Sequence, residues 1–229
     1  MHQRKSKKIL AYFFLLVIVS SIGNNSINNL KFDKIQNINV SGLNEKDNQK
    51  LLNEIRNLNI DSIFFINKNK ISKLINSNPL IERYKVFKKY PSTIDIKVEK
   101  TKFYAKINNN GKTFLIGSNG KLISNILFYD ELPYIFGNPN IEEFLKFKKI
   151  VDQSKFSYDQ IKDLYFFPSK RWDLKLKDDI LLKLPNEYTN EILNHLYEFI
   201  ENYDGKDLNI VDARIINQII LNEQKWRIR

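Results

Sequence analysis

Residues 89–100 read Lys89-Tyr90-Pro91-Ser92-Thr93-Ile94-Asp95-Ile96-Lys97-Val98-Glu99-Lys100. From Ile94 to Val98 every second residue is apolar, and charged residues stand between the apolar ones. This alternation is typical of a strand with one buried face. The turn at Tyr90-Pro91-Ser92 joins this strand to another predicted strand at 81–87. The segment is therefore predicted to be a β-hairpin.

Two predicted helices and a further strand precede the hairpin. A short apolar stretch at 35–40 stops at Ser41-Gly42. Asn44 caps one helical pattern, and Asn67 opens a second that ends near Asn78-Pro79. The order is therefore strand, helix, helix, strand, strand. The helices are expected to cover one face of the sheet, with Leu51, Leu52, Ile55, Leu74 and Ile75 against Ile38, Val40, Ile94, Ile96 and Val98.

The second half of the chain is predicted to be rich in strands, with helices between them. A hairpin is predicted at 111–123, helices at 142–153 and about 188–202, and strands at 171–176 and 180–185. The segment at 132–137 is interpreted as a short loop, and Trp172 as a core residue. The last two strands are predicted at Ile210-Val211 and at about 214–221. We therefore expect an α+β fold that ends in a strand at the edge of a sheet.

The N-terminus has the charge asymmetry of a membrane segment. Arg4, Lys5, Lys7 and Lys8 precede an apolar run at 9–22, and the next charged residue is Lys31. Cations on one side orient such a segment with its N-terminus in the cytoplasm. We predict a cytoplasmic tail at 1–8 and a single-pass inner-membrane anchor at 9–27, with the bulk of the chain in the periplasm. A cleaved signal peptide and a cytoplasmic core helix are the alternatives.

Composition narrows the classes of function. The 229 residues contain no cysteine, which excludes disulfides, thiolate catalysis and zinc–thiolate sites. The net charge is +11, but the lysines are scattered among acids and form no basic stripe. Such a charge favours anionic lipid head groups or acidic partners over nucleic acid.

Catalytic chemistry has little support in the sequence. His2 and His195 are the two histidines, and no nucleophile is placed near either of them. Gly111-Lys112-Thr113 looks like the end of a phosphate-binding loop, but the first glycine of that motif is replaced by Lys106. We find no metal-ligand spacing among His, Asp and Glu. The chain is predicted not to be an enzyme and to need no cofactor.

Four phrases, taken in order, resemble the FtsQ/DivIB family of bacterial division proteins and its POTRA domain. They are Ile38-Asn39-Val40-Ser41-Gly42, Asp61-Ser62-Ile63-Phe64-Phe65-Ile66, Asn78-Pro79-Leu80-Ile81 and residues 89–100. Near the end, Ile210-Val211-Asp212-Ala213-Arg214 resembles the family's terminal strand signal. Lys102-Phe103 departs from the pattern, because the family usually has a proline there. The resemblance implies a POTRA domain at 32–100, a β domain at 101–222 and a C-terminal tail at 223–229.

The resemblance also implies a function. A non-catalytic division protein of this family would hold FtsB, FtsL and wall-synthesis components at the inner membrane. We expect binding by strand addition to the last strand, which is more apolar than a one-sided surface strand requires. A central buried strand is the alternative for that segment. The predicted partner-binding residues are Arg171, Arg214, Ile215, Asn217, Gln218, Ile219, Ile220 and Leu221.

Three other functions remain open at this point. One is another POTRA-bearing component of envelope assembly or secretion. The second is a membrane-anchored hydrolase, which would need a nucleophile and a base that the sequence does not place together. The third is a nucleic-acid binder.

Overall fold

The chain divides into two compact units. A computed structural model describes residues 3–22, 35–60, 63, 66–124, 131–205, 208–215 and 218–223. The first unit comprises Met1–Ile75 and Tyr84–Lys97, and the second comprises Asn76–Arg83 and Val98–Arg229.

The N-terminal helix α1 spans Gln3–Ile22. Apolar side chains along it are exposed, among them Leu10 at 72% and Phe14 at 68%. The helix begins inside the predicted tail rather than at residue 9, and residues 23–27 of the predicted anchor lie outside the described ones. Among the described helices, none is both long enough and apolar enough to cross a membrane.

The first unit contains the predicted order of elements. Its elements are β1 (Asn37–Ser41), α2 (Glu45–Arg56), α3 (Lys68–Ser77), β2 (Ile81–Lys89) and β3 (Thr93–Lys100). The strands form a sheet in the order β1-β3-β2, with β1 parallel to β3. The first residues of β2 and the last of β3 belong to the second unit. The βααββ order predicted from the sequence is confirmed.

The core of the first unit follows the predicted periodicities. Asn44 caps α2 by accepting a 2.8 Å hydrogen bond from the Asp47 backbone N–H. Side chains four residues apart on each helix point inward, and alternate residues of β3 do the same. The buried positions are Leu51, Ile55, Ile63, Ile71, Ile75, Ile94 and Ile96, and the predicted core residue Val98 at the end of β3 is buried as well. The other predicted core residues, Ile38, Val40, Leu52 and Leu74, are only half-buried, because β1 is an edge strand and Leu52 and Leu74 lie off the inward stripe.

The second unit is built on a nine-stranded sheet. Its strands are β4 (Phe103–Asn109), β5 (Lys112–Gly117), β6 (Leu122–Ile123), β7 (Tyr134–Phe136), β8 (Ile161–Phe166), β9 (Trp172–Leu176), β10 (Leu181–Lys183), β11 (Leu208–Asp212) and β12 (Ile220–Glu223). Its helices are α4 (Ile141–Asp152) and α5 (Asn190–Glu201), with a 3-10 turn at Tyr158–Gln160. The strand order is β12-β11-β10-β9-β8-β7-β4-β5-β6.

Trp172 lies at the centre of the core of this unit. Its ring stacks on Phe147 of α4 at 4.6 Å between centroids and contacts Phe144 and Phe166. Leu193 and Leu196 of α5 are buried in the same cluster. The prediction that Trp172 is a core residue is confirmed.

Several predicted elements of the second unit are confirmed, and others were missed or misplaced. The hairpin β5–β6, both helices and the antiparallel pair β9–β10 are present. Strands β4 and β8 had not been predicted, and the predicted loop at 132–137 contains β7. The predicted last strand is wrong in its start, because the strand begins at Ile220 and not near Arg214.

Candidate partner-binding site

The strand β12 lies at one end of the described sheet. It pairs antiparallel with β11, with Leu221 opposite Val211 and Ile220 opposite Asp212. Val211 is fully buried, and Leu221 packs against the same core. Because neighbouring residues on a strand point to opposite faces, Ile220 points away from that core, and 49% of it is exposed. One face of this strand therefore packs on the core, and the other face carries an exposed apolar side chain.

A groove of about 1130 Å³ lies beside this edge of the sheet. Five of the eight predicted partner-binding residues line it, namely Arg171, Arg214, Ile215, Gln218 and Ile219. Ile220 and Leu221 belong to β12 itself and do not line it. Asn217 lies outside the described residues. The structure thus brings Arg171 together with the C-terminal segment, although more than forty positions separate them in the sequence.

Arg171 is held in place by one carboxylate and one ring. Its Nε lies 3.1 Å from Oδ1 of Asp173, and its guanidinium carbon lies 4.2 Å from the centre of the Phe167 ring. The Asp173 side chain is only 5% exposed. Burial raises the pKa of Asp173 above its ordinary value, although the hydrogen bond from Arg171 opposes this shift. Arg171 therefore compensates a buried acid and also forms part of the groove wall.

Arg214 forms a fork-shaped pair with Asp212. Its Nε donates to Oδ1 at 2.8 Å, and Nη2 donates to Oδ2 at 2.6 Å. This guanidinium lowers the pKa of Asp212 below its ordinary value. The Arg214 side chain is still 46% exposed. Arg214 is therefore exposed enough to donate a further hydrogen bond to a partner. Its pair with Asp212 also fixes the backbone that follows β11.

A row of charged residues connects the two arginine pairs across the sheet. Asp173 lies opposite Lys183 on β10, and Lys183 lies opposite Asp212 on β11. Ile220 on β12 continues the same row. These side chains share one face of the sheet, so the cation of Lys183 stands between the two acids. The charge of Lys183 therefore favours the ionised form of both acids.

Some residues of the groove were not predicted from the sequence. Thr189, Ile192 and His195 come from the start of α5, where the Thr189 hydroxyl accepts a hydrogen bond from the Ile192 N–H at 3.3 Å. Ile192 and His195 are three positions apart and therefore lie on one face of the predicted helix. This spacing could have indicated that the two side chains belong to the same site. His195 was not among the predicted partner-binding residues. Only the tertiary structure brings this face into the groove, beside Ala213, Arg214 and Ile215 and beside Gln218 and Ile219.

The arrangement supports non-covalent recognition. It provides a strand at the sheet edge, an exposed apolar side chain on that strand, and a neighbouring groove with two arginines. An extended segment laid along β12 could pair with the outward backbone groups and place side chains into the groove.

Comparisons with known proteins agree with this architecture. The family model described as "POTRA domain, FtsQ-type" matches residues 33–100, and the one described as "Cell division protein FtsQ/DivIB, C-terminal" matches residues 104–214. The chain is 27% identical over 190 residues to cell division protein FtsQ of Rickettsia bellii, covering 76% of this chain and 68% of that protein. It is 23% identical over 182 residues to cell division protein DivIB of Bacillus subtilis, covering 76% and 67%.

One solved structure shows a weaker similarity. It is the major extracytoplasmic domain of the trans isomer of the bacterial cell division protein DivIB from Geobacillus stearothermophilus. The two chains share 11% identity, with 46% of this chain and 90% of that chain covered and a TM-score of 0.31.

Proposed function

Because this chain belongs to the FtsQ/DivIB family of cell division proteins, we propose that it is a non-catalytic scaffold of the division machinery. In this proposal it binds FtsB and FtsL and links them to the wall-synthesis components. The observation that carries the proposal is the position of β12 at the end of the described sheet, beside a groove that collects five predicted contact residues.

Strand addition is the proposed mode of binding. In the sheet formed by the described residues, β12 pairs with β11 alone, so its outward backbone groups would pair with a partner strand. The exposed Ile220 would pack against an apolar side chain of that partner. Arg171 and Arg214 would donate hydrogen bonds to polar or acidic side chains of the partner at the groove. Such pairing orients a partner without any chemical step, which fits a scaffold.

We also propose that the N-terminal segment anchors the protein in the inner membrane. The exposed apolar side chains of α1 and the preceding cations support this attachment. The N-terminus would then lie in the cytoplasm and the bulk of the chain in the periplasm. N-terminal sequencing of the protein from the membrane fraction is expected to find residue 1 or 2 first. A mature start near Asn24 would contradict the anchor and support a cleaved signal.

Proline substitution in β12 tests the binding mode. In an antiparallel pair, neighbouring residues alternate in directing their N–H toward the paired strand or away from it. We therefore compare two variants of the full chain, Ile220→Pro and Leu221→Pro. One of them removes an N–H that points away from β11, and this variant is expected to bind FtsB about tenfold or more weakly than the wild type. It should do so with little change in melting temperature. The measurement is biolayer interferometry together with thermal unfolding by circular dichroism.

Ile220→Thr is the matched control, because it keeps the N–H and the branched shape but reduces the apolar contact. We expect it to weaken binding less than the proline does. If both proline variants stay folded and bind FtsB as the wild type does, the site lies elsewhere. If both unfold the second unit, the strand is internal and the proposed mode of binding is wrong.

A further inference from the structure

The three-stranded sheet of the first unit has one face that α2 and α3 do not cover. Ile94 and Ile96 of β3 are buried in the core that both helices share. Neighbouring residues of a strand alternate between the two faces, so Asp95 and Lys97 lie on the opposite face. There Asp95 accepts a 2.8 Å hydrogen bond from the Asn39 amide of β1. We call this side of the sheet the outer face.

Strand β2 adds an aromatic ring and lysines to the outer face. The Tyr84 hydroxyl donates to the Ser72 hydroxyl of α3 at 2.8 Å, so Tyr84 points toward the helices. By the same alternation, the residues of β2 on the outer face are Lys85, Phe87 and Lys89. Their contacts agree, because Lys89 forms an ion pair with Asp95 and the Lys97 ammonium lies 5.8 Å from the centre of the Phe87 ring.

The exposed apolar side chains of the first unit gather where β2 turns into β3. Among the described residues of 35–97, the large apolar side chains that are exposed are Val86, Phe87 and Tyr90. Phe87 is 44% exposed and Tyr90 is 61% exposed. We call residues 86–92 the hairpin tip. Exposed aromatic rings are common where a protein meets the headgroup region of a membrane.

Lysines surround the hairpin tip. Residues 84–97 carry four lysines, at positions 85, 88, 89 and 97, and one acid, Asp95. Lys89 already pairs with Asp95. The other three lysines form no ion pair within the part of the chain that the structure describes. The excess charge beside the exposed rings is therefore positive, and it favours an anionic surface.

The chain enters the sheet beside the hairpin tip. Gln36 directly precedes β1, and its N–H donates to the Ser92 carbonyl at 2.9 Å. Ser92 lies in the turn between β2 and β3. Residues 23–35 lead from α1 to this point, and a chain of that length spans at most about 45 Å. With α1 in the membrane, as proposed above, the connection joins the sheet at the end that carries the hairpin tip.

We infer that the hairpin tip docks on the anionic phospholipid headgroups of the membrane that holds α1. The inference rests on the proposed membrane anchor. Phe87 and Tyr90 lie at the level of the headgroups, and Lys85, Lys88 and Lys97 lie beside the lipid phosphates. Lysines on an edge strand also prevent unwanted strand pairing. That role alone would not place two exposed aromatic rings among them.

Site-specific labelling tests the inference in the full chain. The sequence has no cysteine, so a single introduced cysteine is the only site that a thiol-reactive dye can label. The Tyr90→Cys variant is labelled with the environment-sensitive dye NBD and reconstituted into lipid nanodiscs. In nanodiscs that contain phosphatidylglycerol, we expect blue-shifted emission and quenching by lipids with a nitroxide near the headgroup. In nanodiscs of phosphatidylcholine alone, we expect neither.

Lys46→Cys is the matched control for the label. Strand β1 runs from Asn37, next to the turn, to Ser41, and α2 begins only after that, at Glu45. Position 46 is therefore exposed in the same unit but lies beyond the opposite end of β1. Its dye is expected to remain in water in both kinds of nanodisc.

Charge removal locates the docking surface. With the dye at position 90, Lys85→Gln/Lys97→Gln is expected to lower the ratio of docked to undocked protein by about tenfold. The matched control, Lys46→Gln/Lys50→Gln, removes the same charge from α2 and should stay within about twofold of the parent, because exposed charges far from the lipid are screened. Phe87→Ala keeps every lysine and should also reduce docking. Thermal unfolding by circular dichroism checks that each variant is folded.

A third label separates this inference from the proposed anchor. Leu15→Cys places the dye in the middle of α1. Quenching at 15 by nitroxides on the acyl chains, without any change at 90, keeps the anchor and overturns the docking of the hairpin tip. No change at either position overturns both. Quenching at 90 without quenching at 15 supports a lipid-binding tip and contradicts the anchor.

Three further results would overturn the inference. The first is an equal signal at position 90 in nanodiscs with and without phosphatidylglycerol. The second is an equal loss in Lys85→Gln/Lys97→Gln and its control, which would show non-specific attraction. The third is a blue shift at position 90 that appears only when FtsB and FtsL are added, which would assign the hairpin tip to a protein partner.

Discussion

Trp172→Ala is expected to destabilise the second unit by about 3–5 kcal/mol, the usual cost of removing a large aromatic side chain from a packed core. Trp172 is fully buried and joins rings from two elements, because Phe147 comes from α4 and Phe166 from β8. Its removal leaves a cavity between the sheet and the helix that cannot close without moving α4. We expect a markedly lower urea midpoint for the second unit, measured by far-ultraviolet circular dichroism.

Phe136→Ala is the matched control for this prediction. Phe136 is also an aromatic residue on a strand of the same sheet, but it is 44% exposed, stacks on Tyr165 and lies tilted against Tyr134. Its loss should cost about 1 kcal/mol or less, since little apolar surface returns to water. If the two alanine variants lose similar stability, Trp172 is not the centre of the core.

Ile96→Ala is expected to cost the first unit about 2–5 kcal/mol. Ile96 is 1% exposed, and it lies opposite Val40 of the neighbouring strand β1. A unit of this size has few other buried side chains to compensate, so this is a large fraction of its stability. Hydrogen exchange of the β1 and β3 amides in the full chain is expected to speed up strongly.

Lys97→Ala tests the strand register from the other face. Lys97 is exposed, and its ammonium lies 5.8 Å from the centre of the Phe87 ring. Its removal is expected to cost less than about 1 kcal/mol, because such cation–π contacts are weak in water. Equal effects of the two substitutions would show that the buried face of β3 has been assigned incorrectly.

The first unit could be predicted from its sequence because its signals are local. The alternation of Ile94, Ile96 and Val98 defines the buried face of β3. Asn44 marks the start of α2, because its side chain accepts a hydrogen bond from the N–H of Asp47, three residues later. Each signal acts within a few residues and is therefore present in the sequence pattern. The same is true of α4, where Asn140 and Glu143 form a reciprocal capping box.

Strand β7 could not be predicted in this way. It has three residues, too few for a periodicity, and it exists because it pairs in parallel with β4 on one side and β8 on the other. Strands β5 and β6 lie between β4 and β7 in the chain, and α4 and the 3-10 turn lie between β7 and β8. Pairing across such distances depends on the assembled sheet and not on the residues of the strand.

The last strand shows most clearly which features follow from local sequence and which follow from tertiary contacts. The apolar residues of 215–221 are present in the sequence and predict a strand near the C-terminus, which the chain has. Where the strand begins was decided by tertiary contacts. The Ala213 N–H donates to the Lys183 carbonyl at 2.9 Å, so the residue after β11 still lies along β10. The chain therefore turns back to pair with β11 only after this long-range bond, and β12 begins at Ile220.

The groove has the same origin. Residues of α5, of the loop before it and of the segment after β11 line it together, and β12 begins beyond them at Ile220. The sequence by itself therefore determined the alternating strands, the capped helices and the apolar character of the last segment, because those depend on neighbouring residues. The tertiary structure decided the strand order, the start of β12 and the meeting of Arg171 with Arg214, because each requires hydrogen bonds and packing between residues far apart in the chain.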